Sequence, residues 1–300
     1  MPVLALNAQD AQIDSPDALQ STLADRATNE TVTLMVHGYR FCPFSARDNP
    51  HHHILSLTPQ ARCWKAVSWP RHLHLNRPGA GLGIAFGWPA RGRLAEVAAH
   101  AFVAGDALAE AIRIIRDVRP DLKINLMAHS LGARVALAAL AASAPGAVRQ
   151  MVLLSGAEYR SIAAAAIAGK GARILNVTSG ENAMFDALFR ALIRAPSWTD
   201  RPLAAGLDRP TPRWIDLAID AAEHRAVLTQ LGFATRSPST RICHWSGYLR
   251  PGLFPLYRGL FDPAQDGLFD RLGDALPSRK ARYRPQLYGL ANPWRGTARP

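Results

Sequence analysis

Short apolar runs bounded by Gly, Pro or polar residues alternate along this chain with long segments of helical period, and that alternation leaves few folds open. The runs are VTLMVHG from Val32, GIAFGW from Gly83, KINLMAH from Lys123, QMVLLSG from Gln150, ARILNVTS from Ala172 and STRICH from Ser239. Most are continuously apolar, as strands buried on both faces must be. Between them, Leu94 to Val118 carries Val97, Phe102, Leu108 and Ile112 at helical spacing and is stopped by Pro120. Further helices are expected from Ser130 to about Ala142, over AMFDALFRALI, and over PRWIDLAIDAAEHRAVLTQL. Strands that alternate with helices imply an α/β fold, a mainly parallel central sheet flanked by helices.

The 300 residues are read as a single domain, 1–300, with a core from about 30 to 262 and a basic, Pro-interrupted extension over 263–300. Two connections are long for a compact domain, 39–81 and 179–238. Both are expected over the C-terminal edge of the sheet, where lids and binding loops sit.

The net charge of +12 raises the question of an anionic partner. The basic residues are spread along the chain and are nearly all Arg, with lysine only at Lys65, Lys123, Lys170 and Lys280. That distribution reads as compositional bias, and no nucleic-acid partner is expected. No segment approaches the roughly 20 apolar residues of a membrane span, and the N-terminus lacks the basic start of a signal peptide. Cys42, Cys63 and Cys243 are too few and too odd in number for a disulfide framework, which points to a reduced, cytoplasmic protein. His51, His52 and His53 are adjacent and so alternate in direction, and no metal site is expected from them.

Chemistry is concentrated in NLMAHSLGARVAL, Asn125 to Leu137, where an apolar strand passes into a helix at Ser130. A helix N-cap also favours serine. A cap does not, however, require small residues two before and two after it, as Ala128 and Gly132 are here. A strained strand-to-helix turn does require them, because flanking backbones come too close for side chains.

The AHSLG segment resembles the nucleophile elbow of the α/β-hydrolase superfamily, with Ala128 in place of the usual first glycine. Upstream, LMVHGYR ends a strand with His37 and Gly38 and resembles the His-Gly oxyanion loop of the same enzymes. The resemblance covers roughly residues 30–262 and implies backbone oxyanion donors at Tyr39 and Leu131. It also implies the chain order Ser, acid, His, which places the base at His244, directly after STRICH. His129 lies inside the elbow, His37 in the oxyanion strand, and His224 and His100 within helical segments.

The acid departs from the pattern. The expected positions after the strand at Ala172 hold Asn182 and Ala183, neither of which carries a charge. Glu181, inside the turn, is the first candidate, followed by Asp186 and then Glu158 after the preceding strand. What the resemblance implies is hydrolysis of a small carboxylic ester through an acyl-enzyme, with no cofactor. Tyr39, Phe41, Phe44, Trp64, Trp69, Trp88 and Trp245 either wall an apolar acyl or aromatic pocket above the serine or pack the first long loop on the sheet. Thioester or amide cleavage, and a non-catalytic binding protein of the same fold, remain open.

Overall fold

The computed structural model describes residues 3–25 and 30–277. Five of the six apolar runs become strands β3 (Thr31–Val36), β4 (Leu82–Gly87), β5 (Lys123–His129), β6 (Val148–Leu154) and β7 (Arg173–Thr178), and the chain adds β1 (Val3–Gln9), β2 (Gln12–Ile13) and β8 (Trp214–Ala218). They form one sheet in the order β2-β1-β4-β3-β5-β6-β7-β8, parallel throughout except for the β1–β2 pair. From β3 to β7 the inward positions are almost wholly buried, because helices cover both faces.

The helices are α1 (Pro16–Ala24), α2 (Trp69–His72), α3 (Leu94–Val118), α4 (Gly132–Ala142), α5 (Arg160–Ile167), α6 (Ala183–Leu192), α7 (Ala222–Gln230), α8 (Ser246–Leu249), α9 (Leu253–Phe261) and α10 (Leu268–Ala275). One core layer joins α1, α3, α4 and α5 to the sheet, and the other joins α2, α7, α8, α9 and α10 to its opposite face. Helix α3 buries Val97, Ala101, Ala104, Leu108, Ala111 and Ile115 along one stripe. Its Gly105 lies so near α4 that an added Cβ would stand 2.5 Å from the Ala138 Cβ, which presses the helix carrying the serine turn onto the sheet.

Three sequence expectations are corrected here. STRICH is not a strand: residues 239–243 pair with no strand of the sheet and are tied to Glu181 instead, by Thr240 Oγ1 and by Cys243 N. The single helix expected from Pro212 is β8 followed by α7. WIDLA is short enough to satisfy either period, and the free edge of β7 decides for the ladder. The packed core is wider than residues 30–262. Strand β1 lies inside the sheet, and α10 buries Leu268, Phe269 and Leu272. Of the expected C-terminal extension, 278–300 lies outside the described residues.

Candidate active site

Strand β5 ends at His129, and Ser130 turns the chain at φ +55°, a left-handed conformation that non-glycine residues seldom adopt. The turn is pinned on three sides. Ser130 donates its N–H to the Leu154 carbonyl at 3.0 Å, and its own carbonyl accepts from Ala133 N and Ala157 N, both at 3.0 Å. Gly132 is required by contact: a Cβ there would lie 2.4 Å from the His37 carbonyl oxygen and 2.7 Å from that of Val36. Gly38 is equally confined, with a notional Cβ 2.8 Å from both the Ser130 Cβ and the His129 carbonyl oxygen. The 37–39 loop therefore lies directly against the serine. Tyr39 follows that glycine, and Leu131 holds the N-cap of α4, where amides have no intrahelical acceptor.

His37 fixes the loop. Its Nε2 accepts from Trp88 N at 3.0 Å, so Nδ1 carries the proton and donates to the Gly38 carbonyl at 2.9 Å. Trp88 Nε1 donates back to the His37 carbonyl at 2.9 Å, and the two rings stack at 5.7 Å. Burial holds this imidazole neutral, its pKa pushed down to about 3.

His244 sits in the loop before α8. Its Nδ1–H donates to Asn182 Oδ1 at 2.6 Å, and its carbonyl accepts from His129 Nε2 at 3.0 Å. Phe185 stacks on the ring at 4.6 Å, His129 lies at 4.6 Å and Trp245 at 5.8 Å. Burial, then His129 and Lys65, hold His244 well below the ordinary histidine range. His129, one residue before the serine, thus carries the main chain of His244. Burial keeps this second histidine neutral too, at about 4.

The carboxylates fall out differently from expectation. Glu181, the first candidate, faces away from His244: it pairs with Arg250 and accepts from Ser179 Oγ at 3.0 Å and Thr240 Oγ1 at 3.1 Å. Its main-chain carbonyl accepts from Cys243 N at 2.9 Å, so Glu181 braces the loop that delivers His244. The reason is electrostatic, since a buried carboxylate seeks a guanidinium before a neutral imidazole. Glu158 is fully buried and gripped by both Nε and Nη2 of Arg134, at 2.8 and 2.7 Å, which removes it from the site. Asp186 comes nearest. It reaches His244 only through Asn182, whose Nδ2 donates to Asp186 Oδ1 at 2.9 Å. Asn182 and Asp186 stand four apart at the start of α6 and so share one helix face. That spacing is visible in the sequence, although Asn182 itself carries no charge.

The aromatic residues divide. Trp69 and Trp88 are core, whereas Trp64 packs edge-on against Trp245 at 5.5 Å and Lys65 lies 3.4 Å over the Trp245 ring. His51 turns to Asn7 on β1 and His53 to Phe41, and among the described residues no three potential metal ligands converge.

This architecture, a parallel sheet with a strained serine at the turn after β5, is the α/β-hydrolase fold. Residues 15–153 match the model of a family described as alpha/beta hydrolase of unknown function (DUF900), a span that includes His37 and Ser130 and stops before Asn182 and His244. No curated protein matches the chain. A solved acetylxylan esterase is similar at 14% identity and a TM-score of 0.31, over 69% of this chain and 94% of that one. A likeness that loose carries nothing about substrate.

Proposed function

We propose that the protein is a serine hydrolase that cleaves carboxylic esters through an acyl-enzyme. Ser130 Oγ attacks the ester carbonyl carbon while His244 Nε2 takes its proton, and the oxyanion rests on the N–H groups of Tyr39 and Leu131. Collapse of this intermediate expels the alcohol, protonated by His244. Water then attacks the acyl-serine with His244 again as base, and the carboxylate product leaves.

The observation that carries the reading is the φ of +55° at Ser130, enclosed by Gly38 and Gly132, with the neighbouring His129 bound to His244. Strain of this kind, roughly 1–3 kcal/mol, persists only where the surroundings enforce it and clusters at active sites. Phe185 and Trp245 against the His244 ring, with Trp64 beyond, favour an apolar acyl or aromatic group on the substrate. Three free thiols, Cys42, Cys63 and Cys243, support placement in the reducing cytoplasm. None of the described helices is long and apolar enough to cross a membrane.

A second reading, a binding protein that has lost catalysis, is favoured by one observation: the group on His244 Nδ1 is an amide and not a carboxylate. Labelling with a fluorophosphonate probe separates the two. The hydrolase reading expects wild type to be labelled and both Ser130→Ala and His244→Ala to be silent; folded wild type that stays unlabelled means binding only. A panel of p-nitrophenyl esters, thioesters and anilides then ranks the leaving groups.

A further inference from the structure

We propose that Asp186 is a positioning residue that sets the proton on His244 through the intervening side-chain amide of Asn182, giving a chain of Ser130, His244, Asn182 and Asp186. The proposal rests on the hydrolase reading above. A neutral imidazole serves as base toward Ser130 only when Nδ1 bears the proton and Nε2 the lone pair. An isolated asparagine does not select that tautomer, because its amide presents either an oxygen or an NH2 group at nearly the same place. Turned over, Asn182 would offer N–H to His244, drive the proton onto Nε2 and leave Ser130 without a base.

Asp186 removes the ambiguity. An ionised carboxylate only accepts, so Asp186 Oδ1 at 2.9 Å demands the Nδ2 end of Asn182 and turns Oδ1 toward His244, where the contact is 2.6 Å. The negative charge also polarises the amide and makes its carbonyl oxygen a stronger acceptor for Nδ1–H as imidazolium forms. Asp186 Oδ2 is buried with no hydrogen-bond partner among the described residues, so Oδ1 to Asn182 is the bond that holds this carboxylate in place.

Asp186 also titrates where this would matter. Burial raises its pKa to about 7, with the Asn182 bond opposing. The small pocket beside it is lined by Ser155, Gly156, Thr178, Ser179, Asn182 and Ala204, all uncharged. The nearest charges in sequence are Arg190, exposed one turn further along α6, and Glu181, which is committed to Arg250; His244 stands beyond the amide. Below about pH 7 the protonated carboxyl can donate to Asn182, and the amide orientation is no longer enforced.

The test is a double-mutant cycle on Asn182 and Asp186, read as the fluorophosphonate labelling rate and p-nitrophenyl butyrate turnover from pH 5.5 to 9. Asp186→Asn is near-isosteric and removes the charge, replacing an acceptor-only carboxylate with an amide that accepts or donates at the same place. Its labelling rate at pH 8 is expected to fall about 10- to 100-fold, and the rise of the wild-type rate through about pH 7 is expected to vanish. In an Asn182→Asp background, where a carboxylate meets His244 directly, Asp186→Asn is expected to cost nothing or to accelerate, because two neighbouring carboxylates repel.

A merely structural Asp186 predicts the opposite pattern, an equal loss in both backgrounds. Melting curves sharpen the distinction, since removing a buried charge that burial disfavours should leave Asp186→Asn at least as stable as wild type at pH 8. If the single variant melts early, the double variant still decides by whether it retains wild-type turnover. Equal rates for wild type and Asp186→Asn, or equal losses in both backgrounds, overturn the relay while Ser130-dependent labelling leaves the hydrolase reading intact. Wild type that is never labelled fails at the earlier step and takes the relay with it.

Discussion

Ser130 occupies a backbone region that costs an L-residue energy. Glycine adopts φ +55° freely but loses more entropy on folding. Ser130→Gly should therefore raise stability by about 1 kcal/mol while abolishing probe labelling. Chemical denaturation of the two proteins measures the difference, and a variant less stable than wild type would mean that the turn is not strained. The residues around the serine show what single positions in the sequence conceal. His37, His129 and Glu181 all carry groups able to do acid–base chemistry, yet their bonds are to Trp88, to the His244 carbonyl and to Arg250. Each was legible as a reactive type, and none as a brace, because a brace is defined by a partner 51, 115 or 69 positions away.

At the scale of elements, the proposed site is the meeting of four chain segments over the C-terminal ends of β3, β5 and β7. In that proposal the β5–α4 turn supplies the serine, the β3 loop its amide donors, the start of α6 the Asn182–Asp186 pair, and the loop before α8 the histidine. The closest approach is between the first two, where Gly132 faces the carbonyls of Val36 and His37. Backbone cannot swing aside as a flexible side chain can, so Gly132→Ala should destabilise by about 1–3 kcal/mol and slow labelling by moving the oxyanion loop. Thermal melting with labelling rates checks both. Retention of wild-type stability and rate would show that the elbow tolerates a methyl group. The buried Arg134–Glu158 pair, with Arg134 Nη1 also on the Ala98 carbonyl, ties α4 to α3 and to the end of β6, which keeps the serine turn registered on the sheet.

The whole molecule buries several histidines uncharged, and that makes it acid-sensitive in a defined window. His37 is held at about 3, His129 and His51 at about 4, each chiefly by burial, against about 6.5 when unfolded. Between these values the unfolded chain binds protons that the folded one refuses, so stability is complete above about pH 6.5 and lost as pH falls toward 4. Each such group contributes a slope of about 1.4 kcal/mol per pH unit inside the window. Asp186, raised to about 7, works in the opposite sense, since its neutral form favours the folded state as pH falls. Burial raises Glu158 as well, but these two carboxyls are outnumbered by the lowered imidazoles, which also include His244, His224 and His53. Urea midpoints should therefore drop between pH 7 and pH 5, and flat midpoints over that range would mean that the histidines are already charged in the fold.

What the sequence by itself determined is the local physics: the five buried central strands β3 to β7, where α3 begins and stops, and the small residues that mark a tight turn at Ser130. Those features depend on neighbours a few positions apart. The position opposite His244 is legible as well, since Asn182 stands where the resemblance expects the acid, with Asp186 one helical turn behind it. Only the tertiary structure decided that WIDLA is an edge strand, that β1 joins the sheet, and that Glu181 and Glu158 are claimed by Arg250 and Arg134. The reason is the same in each case. A strand needs a partner edge and a buried carboxylate needs a cation, and where those partners lie is set by the packing of distant segments and not by the order of residues around them.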